Sequence, residues 1–551
     1  MNTYKKTGGS GVLWLTRNPD KDFYPEESAT KDLSSHPMKG FCHESAGGEG
    51  AKNLSPLFLP FDMTLLLPRS DIHFLASGAD QPNLITRKWM NPRFYICVLL
   101  ASLGAGSLAA AAPQTQPGRP AIHASPITYL APTKENYVKL ADEVEAALRR
   151  DVISVWFPRT LDTKNGGFQS EFTRDWQPAP SHGKFSVFQA RMTWVAAQVV
   201  MRRPDLKDQF LPVLQHGVNY LNDVLWDKQY GGFYWGLDDN GQISATYTDG
   251  KHLYGMSFAL YAAAAAYQAT KDPEALDLAV RAFHWMDVHA HDASNGGYFE
   301  WLTREGKVVT SNSVSGKVEF SPVSGFPIGY KSMNTHLHLL ESFTQLFEVW
   351  KDPTLRLRLE ELLAILRDKI SVDPGAMNLY FTNAWRPFPD HDSYGHDVEA
   401  AYLMLEASAA FGHTHHAATE RMARMLVDHA LAYGWDANLG GFYQHGTTYG
   451  LPEDKSKEWW VQVEGLNALL MMHEKYGANS DFYFKAFQQQ WNFIKEFQID
   501  SQFHGLYPMI GPDGKPAILD KGSIWKAAYH DGRAFMNVSE RLRKLAQPGS
   551  Q

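Results

Sequence analysis

Apolar residues recur at i, i+3, i+4 and i+7 spacings through Met256–Ala269, Leu355–Ile370, Val398–Phe411 and Gly465–Tyr476. That is the stripe a helix buries against its neighbours. Between such stretches a second signal repeats: an Asp, then six or seven residues later an aromatic, usually after Gly-Gly. It occurs at Asp162 to Phe168, Asp227 to Phe233, Asp292 to Tyr298, Asp436 to Phe442 and Asp500 to Tyr507, with a degenerate copy at Asp373 to Tyr380. The usual interval is about 65 residues, enough for two helices and a short β-turn element. Six such hairpins closing on themselves predict an all-α fold, an (α/α)6 barrel over residues 129–546. An open helical solenoid is the structural rival. The glycines permit tight backbone turns, and each aromatic is expected to plug the barrel wall.

Five segments break the apolar pattern with polar and aromatic groups. They are Gln189–Trp194, Lys331–Glu341, Ser393–Glu399, Lys457–Glu464 and Trp525–Arg533. Asn334 and His338 lie four apart and share a helix face, with Glu341 one turn beyond, whereas His336 points elsewhere. His396 and Glu399 lie three apart, so Glu399 is expected to orient that imidazole and stabilise its charged form. Free imidazole titrates near ~6.5, which suits His338, His396 and His530 to proton exchange at neutral pH. Trp459 and Trp525, beside these histidines, offer flat faces for a sugar ring. His413, His415 and His416 read instead as a solvated surface run. His-x-x-Glu occurs twice, but carboxylate-bundle metal sites use Glu-x-x-His with further carboxylates. No metal-ligating set is therefore assigned.

Composition narrows the partners. The chain is 44% hydrophobic and 20% charged with a formal charge of -8, which argues against a nucleic-acid binder. Its 16 Trp and 24 Tyr fit a large core as well as a saccharide cleft. The only cysteines, Cys42 and Cys97, exclude a disulfide framework and any thiol chemistry after residue 97. From Met90 the sequence runs through Arg93, an apolar stretch Phe94–Leu108 and small residues Ala109–Ala112. That is the three-part pattern of a secretory signal peptide. It is too short for a bilayer span, so no membrane association is expected after cleavage. Residues 1–89 are then read as an over-extended gene start or, alternatively, a disordered leader. Residues 113–128 read as a linker, and the mature protein is expected to be exported to the periplasm.

The segments Lys331–Glu341, Ser393–Glu399, Lys457–Glu464 and Trp525–Arg533 closely resemble those of the N-acylglucosamine 2-epimerase family, in particular its cellobiose 2-epimerase branch. The resemblance covers about residues 130–545 in family order, and Asn334–His338 is its most specific part. Ala527-Ala528 and Val463 depart from it at positions of packing or substrate fit. The resemblance implies a small saccharide substrate and inversion at C2 of a reducing-end glucose or mannose unit, with no cofactor or metal. A cis-enediolate forms when one base removes the C2 proton, and reprotonation from the other face inverts the carbon. It implies that His396 and His530 are the C2 acid/base pair and that His338 assists ring opening. Arg191 and Asn334 would stabilise the enediolate, Glu399 would orient its neighbouring His, and Trp385, Trp459 and Trp525 would hold the sugars. His252 and Tyr254 also resemble a segment near the site. The rivals are an aldose–ketose isomerase of the same family, an inverting glycoside hydrolase with paired carboxylates, and a non-catalytic saccharide binder.

Overall fold

Alternate helices along the chain differ in burial: every second one, apart from the last, is buried on nearly all its faces. The computed structural model describes residues 127–310, 319–388, 391–412 and 416–547. Residues 1–126, with the leader, the signal pattern, most of the linker and both cysteines, lie outside the described residues, as do His413 and His415.

The buried helices are α2 (Ser186–Arg202), α4 (Leu253–Thr270), α6 (Met333–Val349), α8 (Tyr394–Ala410), α10 (Trp459–Tyr476) and α12 (Tyr529–Leu545). The others are α1 (Lys134–Ala147), α3 (Lys207–Tyr220), α5 (Pro273–Ala290), α7 (Pro353–Ile365), α9 (His416–Tyr433) and α11 (Phe482–Phe493). Each even-numbered helix packs against the next, α2 on α4 through to α10 on α12, and α12 returns to α2. That last contact closes the ring and rules out the open solenoid. The odd-numbered helices form an outer layer, with α1 seated against α12. The described strands are two or three residues long, so the fold is an all-α, (α/α)6 barrel. No described helix is long and apolar enough to cross a membrane.

The Asp–Gly-Gly–aromatic turns prove to be clamps. Asp227 accepts the backbone N–H of Gln229 and Tyr230, and its carboxylate meets Lys251 Nζ at 3.0 Å. The same arrangement joins Asp162 to Lys184, Asp292 to Lys331, Asp436 to Lys457 and Asp500 to Lys521, at 2.6–3.0 Å. In each pair the lysine stands just before an inner helix or in the loop leading to one, so the clamp ties a turn to the next unit. Phe168, Phe233, Tyr298 and Phe442 are fully buried, as the plug reading expects. The two irregular copies differ. Their bridges pair Ile499 with Leu506 and Ser371 with Met377, so Leu506 and Met377 take the buried place instead of Tyr507 and Tyr380. The Asp500 turn has the same length and hydrogen bonds as the regular ones but carries Leu506 at the plugging position, whereas the Asp373 turn is shorter and brings Met377 there.

Removing one partner of a buried ion pair leaves the other charge uncompensated, at a cost of about 3–5 kcal/mol. Lys331→Met is therefore expected to lower stability by roughly that amount in urea unfolding. Adding Asp292→Asn should recover part of the loss, because no buried charge is then stranded. Additive losses in the double variant would contradict the clamp.

Candidate active site

The first turns of all six inner helices surround a cavity of about 380 Å³ at one end of the barrel. His338, His396 and His530 line it, with Arg191, Tyr254, Asn334, Glu399, Trp459 and Trp525. Eight of these nine sit in the first two turns of an inner helix, and Trp525 comes from the loop before α12. Helix N-termini carry partial positive charge, so this end of the barrel favours an anion. A larger cavity, about 570 Å³, opens at the opposite end, but no histidine lines it.

Each histidine is held from behind through Nδ1. His530 Nδ1 lies 2.6 Å from Glu464 Oε1, and His338 Nδ1 lies 2.8 Å from Glu341 Oε2. A carboxylate accepts only, so Nδ1 carries the proton in both pairs and Nε2 presents a lone pair to the cavity. His396 differs. Its Nδ1 lies 2.7 Å from Ser393 Oγ, and a hydroxyl can donate or accept. His396 can therefore take either tautomer, presenting Nε2 as base or as donor.

This corrects the expectation that Glu399 orients His396. Glu399 bonds to the guanidinium of Arg533 instead, and its nearest histidine contact is His530 Nδ1 at 3.9 Å. Spacing on a helix brings two residues to one face but does not decide which buried charge wins the carboxylate. The guanidinium wins because it is a permanent cation with a forked set of donors. Arg533 gathers three carboxylates: Nη1 donates to Glu341, and Nη2 to Glu399 and Glu464. Tyr529 donates to Glu341, and Tyr402 donates to Glu464 at 2.7 Å. Burial pushes Glu341 up, but Arg533, His338 and Tyr529 outweigh it and hold it at about 2. Burial wins at Glu399 and Glu464, which stay above the usual carboxylate range despite Arg533. Glu464, Arg533 and Tyr529 belong to the polar segments noted above, yet no role was legible for them. Their partners across the barrel are 62 to 192 positions away, which local spacing does not encode.

The cavity walls suit a polyhydroxylated ligand. Arg191 Nη2 donates to Tyr254 Oη and Nη1 to the Trp525 carbonyl, each at 3.1 Å. The Arg191 guanidinium lies 4.4 Å above the Phe258 ring. Arg191 Nε, Asn334 Oδ1 and Trp459 Nε1 are buried without a partner. Burying such groups costs free energy unless something pairs with them. Trp460 lies beside both catalytic candidates, its ring 4.8 Å from His396 and 5.6 Å from His530.

Two expected site residues fall elsewhere. His252 is fully buried between Trp235 and Trp301, and its Nδ1 accepts the Tyr254 N–H at the start of α4. It caps the helix that carries Tyr254 and does not line the cavity. Trp385 packs on His336 and donates to the carbonyls of Asn295 and Gly296, so it braces a turn. His336 is structural as expected: Nδ1 bonds to the Ser332 carbonyl and Nε2 accepts from Tyr298 N–H.

Burial, reinforced by His338 and His391, depresses His396 to about 3, and burial lowers His530 well below its ordinary value. A depressed imidazole keeps its basic form as the pH falls. Activity that depends on neutral His396 is thus expected to hold between pH 8 and about 6, with its acid limb below the ~6.5 of free imidazole. A pH profile of kcat/KM with an acid limb at or above that value would contradict this.

The family model for N-acylglucosamine 2-epimerase (GlcNAc 2-epimerase) matches residues 166–530. A cellobiose 2-epimerase from Bacteroides fragilis is 31% identical over 406 residues, covering 72% of this chain and 98% of the relative. A D-mannose isomerase from Marinomonas mediterranea is 22% identical over 71% of this chain and 95% of its own length. Among solved structures, the cellobiose 2-epimerase from Spirochaeta thermophila superposes with a TM-score of 0.66 at 27% identity. That match covers 75% of this chain and 99% of the other.

Proposed function

Because the chain belongs to the N-acylglucosamine 2-epimerase family, we propose that it interconverts reducing-end glucose and mannose units of β-1,4-linked disaccharides of the cellobiose type by inversion at C2. One observation carries the reading: His338, His396 and His530 are each fixed through Nδ1 and turn toward one cavity walled by tryptophans.

His338, with its Nε2 lone pair backed by Glu341, serves ring opening by moving the proton between the anomeric hydroxyl and the ring oxygen. One of His396 and His530 then takes the proton from C2. The electron pair moves into the C1–C2 bond and the carbonyl oxygen becomes an enediolate oxyanion. Arg191, through its guanidinium N–H groups, and Asn334, through its amide NH2, stabilise that charge. The other imidazole returns a proton to the opposite face of C2. His396 suits either direction because Ser393 tolerates both tautomers. His530 works as a carboxylate-backed base, its cation stabilised by Glu464. Trp459 and Trp525 support the sugar rings. The sequence pattern at Met90 supports an exported enzyme meeting saccharide fragments outside the cytoplasm.

Incubation with cellobiose and separately with mannose, followed by chromatographic resolution, tests the assignment. The expected product from cellobiose is glucosyl-mannose. A ketose as sole product would favour the isomerase reading, and release of free glucose the hydrolase.

A further inference from the structure

Behind His396, on the side away from the cavity, three buried groups converge. Asp392 precedes α8, Asp397 lies in its first turn and His429 lies on α9. Successive residues of extended chain point to opposite sides. His391 and Ser393 line the cavity, and Asp392 turns back into the wall. Asp392 and Asp397 are wholly buried and His429 is 3% exposed. His429 Nε2 lies 2.8 Å from the Thr448 carbonyl, so it carries the proton, and Nδ1 is aimed at the two carboxylates. Nδ1 stands 3.4 Å from Asp392 Oδ2 and 3.6 Å from Asp397 Oδ2. Neither contact meets hydrogen-bond geometry and Nδ1 is buried without a partner, while the Asp392 and Asp397 carboxyls face each other within hydrogen-bond reach. No Lys or Arg pairs with either aspartate among the described residues. The candidate ligand atoms all lie within 4.8 Å of one another.

We propose that Asp392, Asp397 and His429 bind a divalent cation of the zinc type, which braces the first turn of α8 and thereby His396. Charge and geometry both support it. Two ionised carboxylates, one neutral imidazole and a divalent cation sum to zero, which removes the cost of burying two anions together. Zinc binds His nitrogen and carboxylate oxygen at about 2.0–2.2 Å, and neighbouring ligands of such a tetrahedron lie roughly 3.4 Å apart. That edge matches the spacing of Nδ1 from the two aspartates. The second convergence of ligand types, Glu399, Glu464 and His530, differs because Arg533 already supplies its cation. The proposal does not depend on the reaction assigned above.

The test uses the full chain without a histidine tag, stripped with EDTA, given Zn²⁺, freed of excess by gel filtration and assayed by elemental analysis. One zinc per chain and a raised Tm are expected. His429→Gln and Asp397→Asn should each lose both effects, and Co²⁺ in the wild type should show the intense visible bands of a tetrahedral site. Substoichiometric zinc in the wild type, or equal retention by folded variants, would overturn the proposal. If a variant fails to fold, the wild-type stoichiometry and Co²⁺ spectrum decide alone.

Discussion

Replacing His396 or His530 with alanine is expected to lower kcat/KM for C2 inversion by about 10²–10⁴-fold, the usual worth of a positioned acid or base. The fold should survive, because each ring borders the cavity and truncation enlarges a polar space already present. The two positions should not respond alike to loss of their anchors. Glu464→Gln removes the carboxylate that holds His530 in one tautomer, so kcat should fall more than KM rises. Ser393→Ala frees His396 from an uncharged hydroxyl, and the loss should be smaller. Unchanged turnover in both alanine variants would contradict the roles given to the two imidazoles, and saccharide binding without turnover in the wild type would leave only a saccharide binder. Hydrolysis surviving in them would point to the carboxylates instead.

The largest effect on stability is expected at Arg533. Its guanidinium is 3% exposed and joins Glu341, Glu399 and Glu464. Arg533→Met leaves three carboxylates facing one another in the barrel axis with no cation. Stranding even one buried charge costs about 3–5 kcal/mol, so this variant should lose at least that much. Arg533→Lys keeps the charge but not the planar fork, and cannot reach all three acceptors with the same geometry. It should fall between wild type and Met. Urea unfolding orders the three, and a Met variant within about 0.5 kcal/mol of wild type, the usual range of a neutral surface change, would contradict the reading.

The ring was legible because its signals are local and repeated. A turn every 65 residues or so and apolar stripes between turns suffice to count hairpins. The starts of the inner helices were less legible. The apolar period in α8 begins at Val398 and in α10 at Gly465, yet the helices begin at Tyr394 and Trp459. The missing turns are those that carry His396, Trp459 and Trp460, because residues facing a cavity obey chemistry instead of burial. The same break in pattern marked the site. Spacing could not assign partners across the barrel, so Glu399 was matched to the nearest histidine and Arg533 to none. His252 and Trp385 resembled site residues because each braces an element that carries or supports one. His429 gave no signal: it sits on an outer helix whose buried ring is told from a core residue only by what it faces.

The account rests on proton transfer at C2 between two imidazoles and bulk water. Proton NMR of cellobiose incubated with the enzyme in D2O tests this most directly. The expected result is glucosyl-mannose carrying deuterium at C2 of its reducing unit, with the same label entering recovered cellobiose. Epimer that retains its C2 proton, or label confined to C1 of a ketose, would contradict it.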